Sequence, residues 1–168
     1  AMGVQQAPPN MVLTGIALFL TLYIMSPVIN AVNIQSYQPY IQGEITQKEA
    51  VSRAAVPLKE FMLRNTEKRT LDHFVEMSKS EIKEDVTDYP LAVVTPAFMT
   101  SELKRGFMAG FLIYLPFLLI DIVVATTLMF MGMVMLPPTM VSLPFKLLLF
   151  VTVDGWELLF SGLVQSFR

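Results

Sequence analysis

The chain has 168 residues and a net charge of −2, with 54% hydrophobic residues and only 15% charged ones. Soluble domains carry about 25% charged residues, so much of this surface has no ionic groups to present to water. The acidic balance leaves no basic face for nucleic acid. The absence of cysteine excludes disulfide scaffolds, Cys-ligated zinc and a thiol nucleophile, and the single histidine excludes a histidine-rich metal site within one chain.

Residues 1–43 contain no Asp, Glu, Lys or Arg. Within them Met11 to Val32 is mostly apolar, and a helix of that length spans about 33 Å, enough to cross a bilayer core of about 30 Å. Pro8 and Pro9 precede the run, Asn10 is the expected N-cap, and Pro27 is expected to kink the helix or end it near Met25.

The composition then changes abruptly. Residues 44–105 hold 11 of the 14 acids and 10 of the 12 bases, so this segment must face water. Thr46-Gln47-Lys48-Glu49 spells a capping box at the start of a helix. Leu58, Phe61 and Met62 give that helix one apolar face, with Arg64 placed to hold an acid of the same segment. Leu71, Phe74 and Val75 mark a second short helix, and Pro96 is expected at the start of a third. At about 60 residues the segment has a thin core and needs neighbours. His73 is expected on the solvated surface.

Residues 106–136 carry one charge, Asp121, and after Pro137-Pro138 the run from Val141 to Phe167 is apolar except for Lys146, Asp154 and Glu157. The pattern predicts a helical hairpin turning at the prolines, with Pro116 and Pro144 kinking its arms. The expected fold class is therefore all-α: membrane-associated helical hairpins with a small charged helical middle domain, divided as residues 1–43, 44–105 and 106–168.

Asp121 and Lys146 lie in apolar arms, where a charge costs about 2.5–3.5 kcal/mol and pairs or lines a polar path. With the turn at Pro137-Pro138 the two lie at different depths, unless the helix breaks before Met131. The pair serves packing or, alternatively, a conducted ion. Asp154 and Glu157 share a helix face at a spacing of three; no histidine, nucleophile or metal motif accompanies them, so they point to packing rather than catalysis. Trp156 and Arg168 suit an interfacial anchor, and Gly155 and Gly162 allow a neighbouring helix to approach. Met129, Met131, Met133 and Met135 alternate through Gly132, which favours a non-helical stretch. Methionine is deformable and fits either a pliable apolar seal or ordinary core filling. Lys104 and Arg105 give a weak vote for a cytoplasmic middle segment.

Several stretches resemble the FliP family of flagellar export proteins. They are Leu58-Lys59-Glu60-Phe61-Met62-Leu63-Arg64, Thr100-Ser101-Glu102-Leu103-Lys104-Arg105, Phe111-Leu112-Ile113-Tyr114-Leu115-Pro116-Phe117, Gly132-Met133-Val134-Met135-Leu136-Pro137-Pro138, Ser142-Leu143-Pro144-Phe145-Lys146 and Val153-Asp154-Gly155-Trp156. The resemblance implies a pore-forming subunit, a pentamer assembled with FliQ and FliR and flanked by FlhA and FlhB, through which unfolded flagellar proteins leave the cytoplasm. A paralogous subunit serves the virulence injectisomes, and the motifs here are of the flagellar kind. The implied location is the bacterial inner membrane at the flagellar basal body, with the middle segment periplasmic despite Lys104 and Arg105. No reaction and no cofactor are implied. Met131, Met133 and Met135 map to the family's pore gasket, in which Val134 stands where a third consecutive methionine is common. Apart from the resemblance, Phe61 and Arg64 are expected to pack the middle domain, and Asp121, Lys146, Asp154 and Glu157 are expected as buried or packing charges. Family members carry a signal sequence and one more hydrophobic helix before the first one here, so the resemblance implies that both are missing from this chain. It also implies that much of the apolar surface meets other subunits rather than lipid.

Overall fold

The computed structural model describes residues 8–78, 88–133 and 135–167. Its elements are α1 (Asn10–Val32), one π-helical turn (Asn33–Tyr37), α2 (Gln38–Ile41), α3 (Gln47–Arg64), α4 (Lys68–Met77), α5 (Leu91–Phe130), α6 (Pro138–Thr152) and α7 (Gly155–Gln165). The fold is all-α, and no strand occurs among the described residues. The expectations for Val134 and Arg168 lie outside the described residues.

Two compact units divide the chain. One joins Ala1–Leu20 with Phe107–Arg168, and the other is Thr21–Gly106. Helices α1 and α5 each contribute to both.

Unit Thr21–Gly106 is built on amphipathic helices. Its core is Leu71, Val75, Tyr89, Val93, Val94 and Ala97, with Met62, Leu63 and Phe74 packed partly against it. Leu71, Phe74 and Val75 recur at helical spacing, which turns one stripe of α4 inward and leaves Asp72, His73 and Glu76 outside. His73 is exposed, as expected of a solvated surface histidine. Phe61 of α3 meets Phe98 of α5 edge to face, ring centroids 5.9 Å apart.

Polar groups fasten the helix ends. Thr46 Oγ1 accepts the Glu49 N–H while Glu49 Oε2 accepts the Thr46 N–H at 2.9 Å, the reciprocal pair written in the sequence. Helix α4 has no side chain of its own as cap; the fully buried Ser101 of α5 accepts the Glu67 N–H at 3.1 Å instead. Ser36, in the π turn, donates to the Ala50 carbonyl at 2.6 Å and ties that turn to α3. Among the described residues every buried side-chain nitrogen and oxygen has a hydrogen-bond partner.

Glu67 supplies a pH dependence. Lys104 Nζ lies 2.6 Å from its Oε2, and this hydrogen bond holds the carboxyl below the usual carboxylate range against partial desolvation. A folded pKa below the unfolded one contributes stability that is present above the unfolded value of about 4.3 and lost as pH falls through the folded value. The expected result is that Lys104→Met flattens the acid limb of a thermal-melting profile taken from neutral pH to pH about 3. An unchanged limb would show that the pair adds nothing to folding.

In the other unit α5 and α6 form the hairpin arms. Phe117 and Leu128 are buried there, and Phe117 meets Phe150 with centroids 6.5 Å apart. Phe150 in turn meets Trp156 edge to face at 5.3 Å, and Trp156 stacks on Phe160 at 5.7 Å.

Several helix boundaries depart from expectation. Asn10 is the first residue of α1 rather than its cap, because the Pro9 carbonyl already accepts the Val12 and Leu13 N–H groups. Pro27 does not end α1 at Met25, and the helix runs on to Val32. Pro96 does not open α5, which starts at Leu91 after Pro90. It runs on through Pro116 to Phe130, and in an apolar setting intrahelical bonding of all other residues outweighs the bond each proline removes. The second arm is two helices, not one. It breaks at Val153 and Asp154 and bends by 58°. Asp154 takes the left-handed conformation (φ 49°, ψ 50°), which Asp tolerates better than most residues. The ring of Phe150 fills the place that a β-carbon on Gly155 would take. Gly155 is thus used for a close approach within the chain, while Gly162 faces open space.

Candidate functional site

The chemistry-bearing residues of the hairpin cluster where α5 faces α6. Helix α6 begins at Pro138, whose missing N–H is an orphan position in any case. Ser142 and Lys146 follow at i and i+4, so both side chains leave the same face. Opposite them Asp121 projects from α5. Its Oδ2 accepts from Lys146 Nζ at 2.6 Å and its Oδ1 accepts from Ser142 Oγ at 2.6 Å. The Lys146 side chain is 4% exposed and that of Asp121 26%. A buried ammonium requires a counter-charge, and here both carboxylate oxygens are engaged by α6.

The depth mismatch expected for this pair disappears for a geometric reason. Helix α5 stops at Phe130 and α6 starts at Pro138, so Asp121 stands 9 residues before one end and Lys146 stands 8 after the other start. The described residues between them belong to neither helix.

The break itself is encoded at Gly132. Its φ of +75° is open to glycine without steric cost. The Met133 N–H reaches the Leu128 carbonyl at 3.0 Å and the Gly132 N–H reaches the Met129 carbonyl at 3.0 Å, which together make a Schellman cap. Around this turn Met131 is 64% exposed, Met133 48% and Met135 98%. The methionines therefore stand at the tip of a hairpin whose arms are pinned by the ion pair.

Other expected site residues lie elsewhere. Asp154 and Glu157 are exposed, which corrects their reading as buried charges: Asp154 sits outside α7 at the bend and Glu157 in its first turn. Arg64 is exposed at the end of α3, and among the described residues no ion pair includes it. Phe61 stands in the other unit against Phe98. Ser142 was missed by sequence reasoning. Its signal was the spacing of four to Lys146, which only gains meaning once an acid is known to face it.

Membrane character is direct. Helices Asn10–Ile41 and Leu91–Phe130 are long and apolar enough to cross a bilayer, and α6 with α7 makes a third, bent candidate. Helix α1 has no buried residue at all, so its apolar surface requires cover from outside the chain.

Residues 1–163 match the FliP family. Over 167 residues the chain is 49% identical to the flagellar biosynthetic protein FliP of Pectobacterium carotovorum, covering 99% of this chain and 65% of that protein. The protein of the same name from Bacillus subtilis is 48% identical, with 99% and 76% covered, and that of Aquifex aeolicus 47% identical, with 100% and 71% covered. This chain thus spans about two thirds to three quarters of the length of these relatives. Agreement of that extent, on an all-helical chain with bilayer-length apolar helices, leaves one assignment: the chain belongs to the FliP family.

Proposed function

We propose that the chain is a pore-forming subunit of the bacterial flagellar type III export gate, passing unfolded flagellar proteins out of the cytoplasm. Its coarser part, a membrane-associated component of the flagellar export apparatus, follows from the family and from the apolar helices. The finer part rests on one observation. Three exposed methionines stand at the tip of an apolar hairpin that a glycine cap and a buried ion pair hold in shape. Flexible, polarisable side chains on a fixed turn suit a deformable seal around varied polypeptides. In this reading several copies, a pentamer by family resemblance, close the methionine turns around a path. FliQ, FliR, FlhA and FlhB act beside them in the inner membrane, and the polar middle segment lies on the periplasmic side. The subunit shapes a passage and carries out no reaction.

Replacing Met131, Met133 and Met135 together with Ala is expected to make the assembled gate leak ions or small molecules, measured as membrane permeability in cells producing the variant. Wild-type permeability with normal complex yield would rule the sealing role out.

A further inference from the structure

Methionine supplies all the sulfur of this chain, with twelve methionines and no cysteine. No thiolate is present to intercept an oxidant, so oxidation at sulfur falls on the thioethers. Their placement is uneven. Five of the twelve stand within residues 129–140, at Met129, Met131, Met133, Met135 and Met140. Met131, Met133 and Met135 lie on the turn outside both helix arms, and Met135 is 98% exposed.

Met62 is the contrast. It packs partly against the core of the other unit, and its Sδ accepts a hydrogen bond from Thr95 Oγ1 at 3.8 Å. Met77 and Met99 of that unit are exposed and belong to the polar segment, so they register how freely an oxidant reaches open protein surface.

Oxidation changes what such a turn can do. A thioether is apolar, flexible and polarisable, whereas a sulfoxide is polar and chiral and accepts hydrogen bonds. Among apolar side chains an S=O group without a donor carries the cost of an unsatisfied polar atom, so the oxidised turn draws in water. A methionine seal is therefore one that an oxidant can undo and a reductant can restore.

We propose that Met131, Met133 and Met135 form an oxidant-modified site whose sulfoxides open the seal until they are reduced. The oxidant is of the hypochlorous acid class. An electron pair of the sulfur forms the S–O bond as the O–Cl bond breaks, and chloride and a proton are released. Reversal takes two thiols of a methionine sulfoxide reductase system, which become a disulfide while the oxygen leaves as water. The proposal rests on the sealing role proposed above.

Membrane vesicles that carry the assembled gate and an entrapped dye are treated with limiting hypochlorous acid and quenched with free methionine. Peptide mass mapping is expected to find the added oxygen on Met131, Met133 and Met135 as fully as on Met77 and Met99, and several-fold less on Met62. Dye release is expected to rise several-fold and to return to the untreated level after incubation with both stereospecific sulfoxide reductases and a thiol. Each variant gate is compared with its own untreated vesicles. Met131→Leu, Met133→Leu and Met135→Leu together are expected to remove the response, and Met135→Leu alone to lower it. Oxidation of the turn no greater than that of Met62 overturns the proposal. So does unchanged dye release from a gate whose turn is oxidised, or a response that survives in the triple leucine variant. The alanine variant above is measured without oxidant, so the sealing role and its oxidation fail separately.

Discussion

Asp121→Ala is expected to destabilise the α5–α6 hairpin by about 3–5 kcal/mol, because it strands the Lys146 ammonium in a nearly dry position. Lys146 is 4% exposed, whereas Asp121 keeps 26%, which sets the effect toward the lower end of that range. The reverse change, Lys146→Met, is milder. It leaves a carboxylate that still accepts from Ser142 and reaches some solvent. Asp121→Asn with Lys146→Met is milder again, since replacing both members of a buried pair is often close to neutral. Unfolding of the purified proteins in mild detergent measures all three, and adding Asp121→Asn alone closes a double-mutant cycle with Lys146→Met. Native gels should show that Asp121→Ala lowers complex yield before it alters permeability. Additive single effects, or an Asp121→Ala protein as stable as the native one, would mean that the pair is not coupled as its 2.6 Å contact implies.

The second large effect belongs to the other unit. Leu71 is 6% exposed at the centre of a small core, and Leu71→Ala is expected to cost about 2–4 kcal/mol through lost burial and the cavity left behind. A core of so few residues has little surplus, so the change should lower the melting transition of the helices that pack on α4 by many degrees. Met99→Ala on an exposed face, where the native side chain is 58% accessible, should cost within about 0.5 kcal/mol. Equal losses from the two variants would show that α4 is held by something other than this core.

Features that depend on neighbours in sequence were legible from the residues alone. Thr46 and Glu49 announced the start of α3, since both halves of a capping box lie within one turn. Leu71, Phe74 and Val75 declared α4 and its buried face by spacing. Gly132 and the alternating methionines indicated the helix break, because a left-handed residue after an apolar run stops a helix locally. Proline was over-read. Pro27 does not end α1 and Pro96 does not open α5, since the loss of one bond is small beside the cost of exposing a whole backbone in an apolar setting.

Non-local relations were not legible. Ser101 capping α4 from 34 residues away has no sequence signature, and neither does Ser142 completing the shell of Asp121. The break at Asp154 was not legible either, and the Phe150 ring that lies against Gly155 beside it is a packing contact with no local signature.

By itself the sequence determined that this protein is helical, that its ends are apolar and its middle polar, and which residues match the FliP family. These follow from composition, periodicity and local chemistry, which act over a few residues. The tertiary structure alone decided that Asp121 and Lys146 meet, that Asp154 and Glu157 remain outside, and that the methionines stand exposed on a capped turn. Those outcomes depend on where each helix ends. A shift of a few residues in the end of α5 moves every side chain on one arm past its partner on the other, and only the folded chain fixes that register.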